Sequence, residues 1–303
     1  MKKIITICGP TGIGKTDFAI ALAKEFCGEI IGADSMQIYK YMDIGTAKPD
    51  AGELAQAPHH LVDFVDPAEN FDAGRYAQMA AQKIEEICER NRVPIVAGGT
   101  GLYIRALLYG LFRSQPVCKK TVAQLTAQLE KKGSACLHQQ LQACDPAAAQ
   151  KIHPKDSFRI IRALEVFQTT GSPISLRQRE HNFSTPRYQS LTIGLFMDRN
   201  RLYDRINLRV DAMIRQGLLA EVTGLVEKGY SLGLPSMQSI GYRHMGWFLT
   251  GEHPFGQAVH LLKRDSRRYA KRQFTWFKKE PGIIWMEPSQ LDAARTLAKD
   301  FLT

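Results

Sequence analysis

Eight consecutive residues near the amino end, Gly9-Pro10-Thr11-Gly12-Ile13-Gly14-Lys15-Thr16, carry the most readable chemistry in this chain. Their spacing fits G-x-x-x-x-G-K-[ST], in which a glycine-rich turn wraps backbone N–H groups around a phosphate. The glycines permit the tight curl. A helix that starts at the turn adds unpaired amide donors and the positive end of its dipole. Lys15 brings a mobile cation, and the Thr16 hydroxyl is a ligand for a magnesium ion. The pattern does not choose its anion: a nucleoside triphosphate and a diphosphate ester both satisfy it.

Such a cradle needs elements to hold it. Residues 2–8 form a short apolar run suited to a buried strand, and 17–26 read as a helix, so the glycines sit between strand and helix. Further strands are expected over 29–34, 59–65, 93–97, 191–196 and 282–286. Helical spacing appears at 71–90, through Tyr76, Met79, Ala80, Ile84 and Ile87, and a helix is expected over 102–109. This alternation predicts an α/β fold, a P-loop NTPase-like parallel sheet flanked by helices. Strand patterns stop near Ser114 and resume near 190. An all-helical insertion is therefore expected over 115–189, dividing a core domain formed by 1–114 and 190–303. One long amphipathic helix is expected over 201–228, ended by Gly229.

A formal charge of +10 favours a polyanionic partner, nucleic acid ahead of a membrane. The charge gathers in 263–279, as Lys263, Arg264, Arg267, Arg268, Lys271, Arg272, Lys278 and Lys279, with Tyr269, Phe274, Trp276 and Phe277 between them. Asp265 is the one acidic residue there before Glu280. Basic residues interleaved with aromatics suit RNA backbone contact and base stacking. The plainer reading is a solvated charged face over buried rings, and Phe274 and Phe277 are expected in the core. The six cysteines are scattered with no C-x-x-C pair, against a metal or disulfide framework. No apolar run reaches membrane-spanning length, and the run after Met1-Lys2-Lys3 ends at Gly9, too soon for a signal peptide. A reduced, cytoplasmic protein is expected, with no membrane partner, and a monomer in the absence of an obvious apolar patch.

Three more segments accompany the cradle. They are Asp34-Ser35-Met36-Gln37-Ile38-Tyr39 with Met42-Asp43-Ile44-Gly45-Thr46-Ala47-Lys48-Pro49; Gly98-Gly99-Thr100-Gly101-Leu102-Tyr103; and Gly241-Tyr242-Arg243 with Ala270-Lys271-Arg272-Gln273-Phe274-Thr275-Trp276. Together they resemble the tRNA dimethylallyltransferases, the isopentenyltransferases that modify an adenosine beside the anticodon. The likeness runs from residue 4 to about residue 278 and takes in His153-Pro154, Arg159 and Arg162-Ala163-Leu164-Glu165-Val166. The resemblance implies that residues 9–16 grip the diphosphate of dimethylallyl diphosphate with Mg²⁺, rather than ATP. The dimethylallyl group would pass to N6 of adenosine 37 in certain tRNAs, releasing diphosphate. The helical insertion would clamp the anticodon stem-loop.

The same resemblance assigns roles. Lys15, Mg²⁺ on Thr16 and the loop amides would stabilise charge on the departing diphosphate. Arg205, in Tyr203-Asp204-Arg205-Ile206, would reach over it, or is an exposed helix charge. Asp34, expected at a strand's end beside the cradle, is either the general base or a magnesium-ligating acid. Thr100 either hydrogen-bonds the reacting groups or caps the helix after it. Ser35, Met36 and Gln37 would line the pocket of an extruded adenine, with Gln37 pairing its edge or, alternatively, buried and satisfied by backbone. Phe158, Arg159, Ile160, Ile161 and Arg162, then Gly241, Tyr242 and Arg243, then Lys271 and Arg272, fall in the family's tRNA-contacting segments, although Arg162 equally suits a salt bridge to Glu165. His59 and His60 read as loop or core, Met36 and Met42 as packing, and Cys8 as a core filler. Two other functions share these features. A P-loop kinase for a small metabolite leaves the basic last third without a task, and a non-catalytic RNA-binding NTPase leaves Asp34-Ser35-Met36-Gln37 without one.

Overall fold

The computed structural model describes residues 1–111, 117–181 and 185–303. Strand β1 (Lys3–Cys8) is buried from Ile4 onward, as a central parallel strand covered on both faces must be. Helix α1 (Lys15–Glu25) starts from Gly14, whose φ of 99° is costly for any side chain. Strand β2 (Gly28–Gly32), one-turn helix α2 (Ala51–Leu54) and the two-residue strand β3 (His59–His60) follow. Helix α3 (Ala73–Glu89) is capped by the Asp72 carboxylate, which accepts from the Gly74 and Arg75 amides, and buries Tyr76, Ala80, Ile84 and Ile87 as one stripe. Strand β4 (Val93–Gly98) leads into α4 (Gly101–Tyr109).

The chain divides into two compact units, a first of Met1–Leu108 with Arg187–Thr303 and a second of Tyr109–Pro186. Among its described residues the second unit is helical throughout. It consists of α5 (Lys119–Cys144), interrupted at Gly133, α6 (Pro146–Lys151), α7 (Ser157–Thr170) and α8 (Ile174–His181). Asp145 and Asp156 cap α6 and α7, and Gly171, at φ 67°, ends α7. Its own core holds Leu125, Leu137, Leu141, Ile160, Leu164 and Val166.

The first unit resumes with β5 (Gln189–Leu195), α9 (Arg199–Gln216), α10 (Leu218–Glu227), α11 (Tyr242–Leu249), α12 (Phe255–Phe277), β6 (Ile283–Met286) and α13 (Leu291–Leu302). The strands form one parallel sheet in the order β3-β2-β4-β1-β5-β6. Ile5, Ile7, Ile95 and Ile193 of the sheet pack with Phe18 and Leu22 of α1, and each such burial contributes about 1.5–3 kcal/mol. Register decides what lies together at the sheet's carboxyl edge. Cys8 pairs with Gly98 and Gly32 with Ala97, so the segments leaving β1, β2 and β4 emerge side by side. That edge is where ligand sites form in parallel α/β sheets.

Several expected elements differ. The strand expected over 59–65 stops at His60, because Leu61 and Asp63 both turn to φ 58°, and the chain continues as single bonds to residues 37–38. The helix expected over 201–228 breaks at Gly217, where φ is 99°. Asp34 lies two residues beyond β2 rather than at its end. The helical unit spans Tyr109–Pro186 where the pattern of residues suggested 115–189. Among the described residues no helix is long and apolar enough to cross a membrane, and all six cysteines are free.

Candidate active site

The loop between β1 and α1 curls through Gly9, Gly12 and Gly14, all at positive φ, and opens onto a cavity of about 1110 Å³. Thr11, Gly12, Gly14, Lys15 and Thr16 line that cavity. Gly9, Pro10 and Ile13, expected to bind the anion, are buried behind it, and Ile13 points wholly into the core. The Lys15 ammonium donates to the Pro10 carbonyl at 2.9 Å. Burial pushes its pKa down to about 8, against the pull of the Asp34 carboxylate and with the help of Arg209. A cation strained in this way gains most when an anion arrives.

Helix α9 supplies two arginines. Arg205 Nε donates to the Gly12 carbonyl at 3.0 Å and stays exposed, over the loop as the sequence suggested. One turn later, Arg209 Nη1 donates to Thr11 Oγ1 at 3.3 Å. Burial lowers the Arg209 pKa, with Asp34 opposing. Arg209 was not anticipated. The available signal was its i+4 spacing from Arg205, which puts both on one helix face.

Helix α12 ties the loop to β4. Gln273 is buried; its Oε1 accepts from the Thr11 amide at 2.8 Å and its Nε2 donates to the Gly99 carbonyl at 2.9 Å. The Thr11 N–H therefore bonds a side chain rather than facing the cavity. The approach explains Gly99, where a Cβ would lie 2.3 Å from Gln273 Nε2. Gly98 is needed for a different contact, because a Cβ there would lie 2.1 Å from the Ala33 carbonyl oxygen.

Asp34 stands between two cavities. The larger holds the phosphate loop; the smaller, about 290 Å³, is lined by Ser35, Met36, Arg243, Tyr269 and Arg272 among others. Thr11, Asp34, Thr46, Arg209 and Met213 line both. Asp34 Oδ1 accepts from the Met36 amide at 2.9 Å and, more weakly, from the Gln37 amide at 3.4 Å, a turn that fixes the carboxylate's direction. The phenol of Tyr269 is raised in pKa by burial and then by the Asp34 charge, so it remains a neutral donor.

Two further side chains beside Asp34 are held by bonds within the protein. Thr100 Oγ1 accepts from the Ser35 amide at 2.9 Å and donates to Ser35 Oγ, so its hydroxyl braces the segment after Asp34 and does not cap α4. Gln37 Nε2 donates to the Ala47 and Thr46 carbonyls, at 2.7 and 3.3 Å, so the NH₂ end of its amide is held by backbone.

The remaining RNA-contact candidates divide by burial. In the helical unit, Phe158 is 82% exposed and Arg159 is exposed beside Asp156, whereas Ile160 is completely buried, Ile161 packs against that core and Arg162 pairs with the buried Glu165. A side chain that fills a core cannot touch a partner, which removes Ile160. In the core unit, Tyr242 is also fully buried and donates its hydroxyl to Glu221, with Gly241 buried beside it. Arg243 faces the smaller cavity and pairs with Asp265 at 2.8 Å. Burial opposes the Asp265 charge, but Arg264, His244 and Arg243 together hold its carboxyl down to about 2.

Along α12, Arg268, Lys271 and Arg272 are exposed, whereas Lys263 and Arg267 reach Asp211 and Asn207 of α9. Phe277 is buried, Phe274 is half-buried edge-on to Trp285, and Tyr269 faces Asp34. Arg268, Lys271, Arg272 and Lys279 line an outer groove of about 630 Å³ with Arg105 and Trp276, whose ring lies 4.4 Å from the Arg105 guanidinium. Arg272 lines this groove and the smaller cavity both.

A family model described as IPP transferase matches residues 37–280. A tRNA dimethylallyltransferase of Desulfosudis oleivorans is 51% identical over 99% of this chain and 96% of its own length. One of Acetivibrio thermocellus is 47% identical with the same coverage. Among solved structures, the full-length tRNA isopentenylpyrophosphate transferase of Bacillus halodurans superposes with a TM-score of 0.75 at 39% identity, covering 100% of this chain and 97% of that one. A eukaryotic dimethylallyltransferase acting on tRNA superposes with a TM-score of 0.85 at 31% identity, covering 100% of this chain and 80% of that one.

Proposed function

This chain belongs to the IPP transferase family, and on that premise we propose that it transfers a dimethylallyl group from dimethylallyl diphosphate to N6 of the adenosine next to the anticodon of tRNA. The observation that carries the reading is the position of Asp34 on the shared wall of the two cavities. The larger takes the diphosphate on its Lys15 and Arg205 side; the smaller admits an extruded purine beside Ser35, Met36 and Tyr269.

The bond from N6 to the allylic carbon forms as the bond from that carbon to the diphosphate oxygen breaks. The electron pair leaves with the diphosphate, where Lys15, Arg205, Arg209 and loop amides meet the growing charge. The N6 proton passes to Asp34, which the Met36 and Gln37 amides hold in place. Products are N6-dimethylallyladenosine in the RNA and free diphosphate. Among the described residues no three His, Cys, Asp or Glu side chains gather into a metal site. The hard oxygen of Thr16 on the cavity wall nonetheless suits Mg²⁺ and would hold it. When bound, the ion neutralises diphosphate charge. The outer groove of Arg268, Lys271, Arg272 and Lys279 would carry the RNA backbone toward the smaller cavity.

The test is transfer of label from dimethylallyl diphosphate to an anticodon stem-loop carrying three consecutive adenosines, with Mg²⁺. We expect labelled RNA from the intact chain, and none from Asp34→Ala although the stem-loop still binds. Stabilisation by ATP with no labelled product would refute the reading in favour of a kinase. Tight RNA binding without transfer would refute it in favour of a binding protein.

A further inference from the structure

The segment 43–46 forms part of both cavities, yet it belongs to no strand or helix. What holds it is a carboxylate from α10. Glu221 Oε2 accepts from the Asp43 and Ile44 amides at 3.0 and 2.8 Å, and Oε1 accepts from the Gly45 amide at 3.1 Å and the Tyr242 hydroxyl at 2.5 Å. Three successive amides turned toward one point make an anion-binding nest. Here the anion is built into the protein. The Tyr242 phenol, raised in pKa by burial and then by Glu221, stays protonated and keeps donating. Its ring also lies close against Gly45, where a Cβ would come 2.4 Å from a ring carbon.

The chain of bonds continues to the reacting side of the site. Thr46 and Ala47 give their carbonyls to Gln37 Nε2, and the Gln37 and Met36 amides orient the Asp34 carboxylate. We infer that Glu221 is a positioning residue for the transfer reaction, holding the 43–46 segment, through it Gln37, and so the aim of Asp34 at the purine. The inference rests on the transfer reading above and adds a residue that touches neither substrate. The segment shares the larger cavity with the phosphate loop, but the loop itself is braced by Gln273, Arg205 and Arg209, which take no part in this chain of bonds.

The substitution that separates positioning from packing is Glu221→Gln. It preserves volume, but a carboxylamide turns an NH₂ toward backbone amides that cannot accept, and its one oxygen cannot serve the three amides and the Tyr242 hydroxyl together. A displacement of the reacting groups by about 1 Å costs on the order of 10²-fold in rate. Glu221→Gln is expected to lower kcat by about tenfold to a hundredfold and to raise KM for the stem-loop. It should leave the affinity for inorganic diphosphate unchanged and speed hydrogen exchange at the Asp43, Ile44 and Gly45 amides. Tyr242→Phe, which removes one donor and little volume, should fall between Glu221→Gln and the parent. Glu227→Gln, at the exposed end of the same helix, serves as the control.

Unchanged kcat in Glu221→Gln overturns the inference, whether or not exchange accelerates. A fall in kcat with unaltered exchange at residues 43–45 also overturns it, because the effect would then not pass through the segment. If the parent protein transfers no label, the transfer reading fails by itself and the catalytic role of Glu221 with it. The exchange measurement then still reports whether the clamp exists.

Discussion

Raising the pH should weaken diphosphate binding through one side chain. Burial, more than any neighbour, brings the Lys15 ammonium down from the usual lysine range to about 8 in the empty cradle. Below that value it is charged and meets the anion; above it the free protein holds a neutral amine, and binding must first take up a proton. The apparent dissociation constant then grows with the factor one plus ten to the power pH minus pKa. Between about pH 7 and about pH 9 this factor rises about tenfold, or about 1.4 kcal/mol. The sign follows from the direction of the shift: a depressed lysine pKa brings the loss of charge into the working range, whereas an ordinary lysine stays protonated throughout it. Calorimetric titration with inorganic diphosphate across this range reads the slope. Lys15→Met removes the titrating group while keeping much of its length, so the ligand's own protonation appears alone in the variant. The intact chain should show about one more decade of weakening than Lys15→Met over the interval. Parallel lines for the two proteins would refute the argument and place the Lys15 pKa outside the interval.

The outer face of α12 should act on RNA through charge alone. Lys271→Ala combined with Arg272→Ala is expected to weaken stem-loop binding and to lower the slope of log affinity against log salt by about 2, measured by filter binding at several ionic strengths; an unaltered slope would place those charges away from the phosphates. Gln273 should matter to stability as well as to the site. Gln273→Leu leaves the buried Gly99 carbonyl without its partner, at about 1–3 kcal/mol, and releases the part-buried Thr11 amide as well, so the urea midpoint of the core unit should fall clearly. A midpoint within error of the parent would mean that the two groups find other partners at little cost.

The phosphate cradle was legible in the chain because it is local. Residues 9–16 build it from their own backbone, and the requirement for glycine at a left-handed turn is a property of the residue type. The alternation of strand and helix was legible for a related reason, since a buried parallel strand such as β1 must be a continuous apolar run. The basic charge of α12 was legible from composition in the same way, but not that Lys263 and Arg267 turn to α9. Where local signals compete, the reading failed. Gly217 inside an apolar pattern breaks α9 from α10, and Leu61 and Asp63 turn a run that reads as strand.

Burial and partnership could not be read this way. Gln273 lies 262 positions from Thr11, Arg209 lies 198 from it, and Glu221 reaches back 176 to 178 positions to the segment that it holds. No window of sequence contains both members of such a pair. Gln37 Nε2, the Thr100 hydroxyl and the Tyr242 phenol each bond a neighbour that only the folded chain supplies. A side chain's type fixes which bonds it is able to make. Which bonds it does make depends on the donors and acceptors within about 3 Å, and sheet order and helix packing decide those.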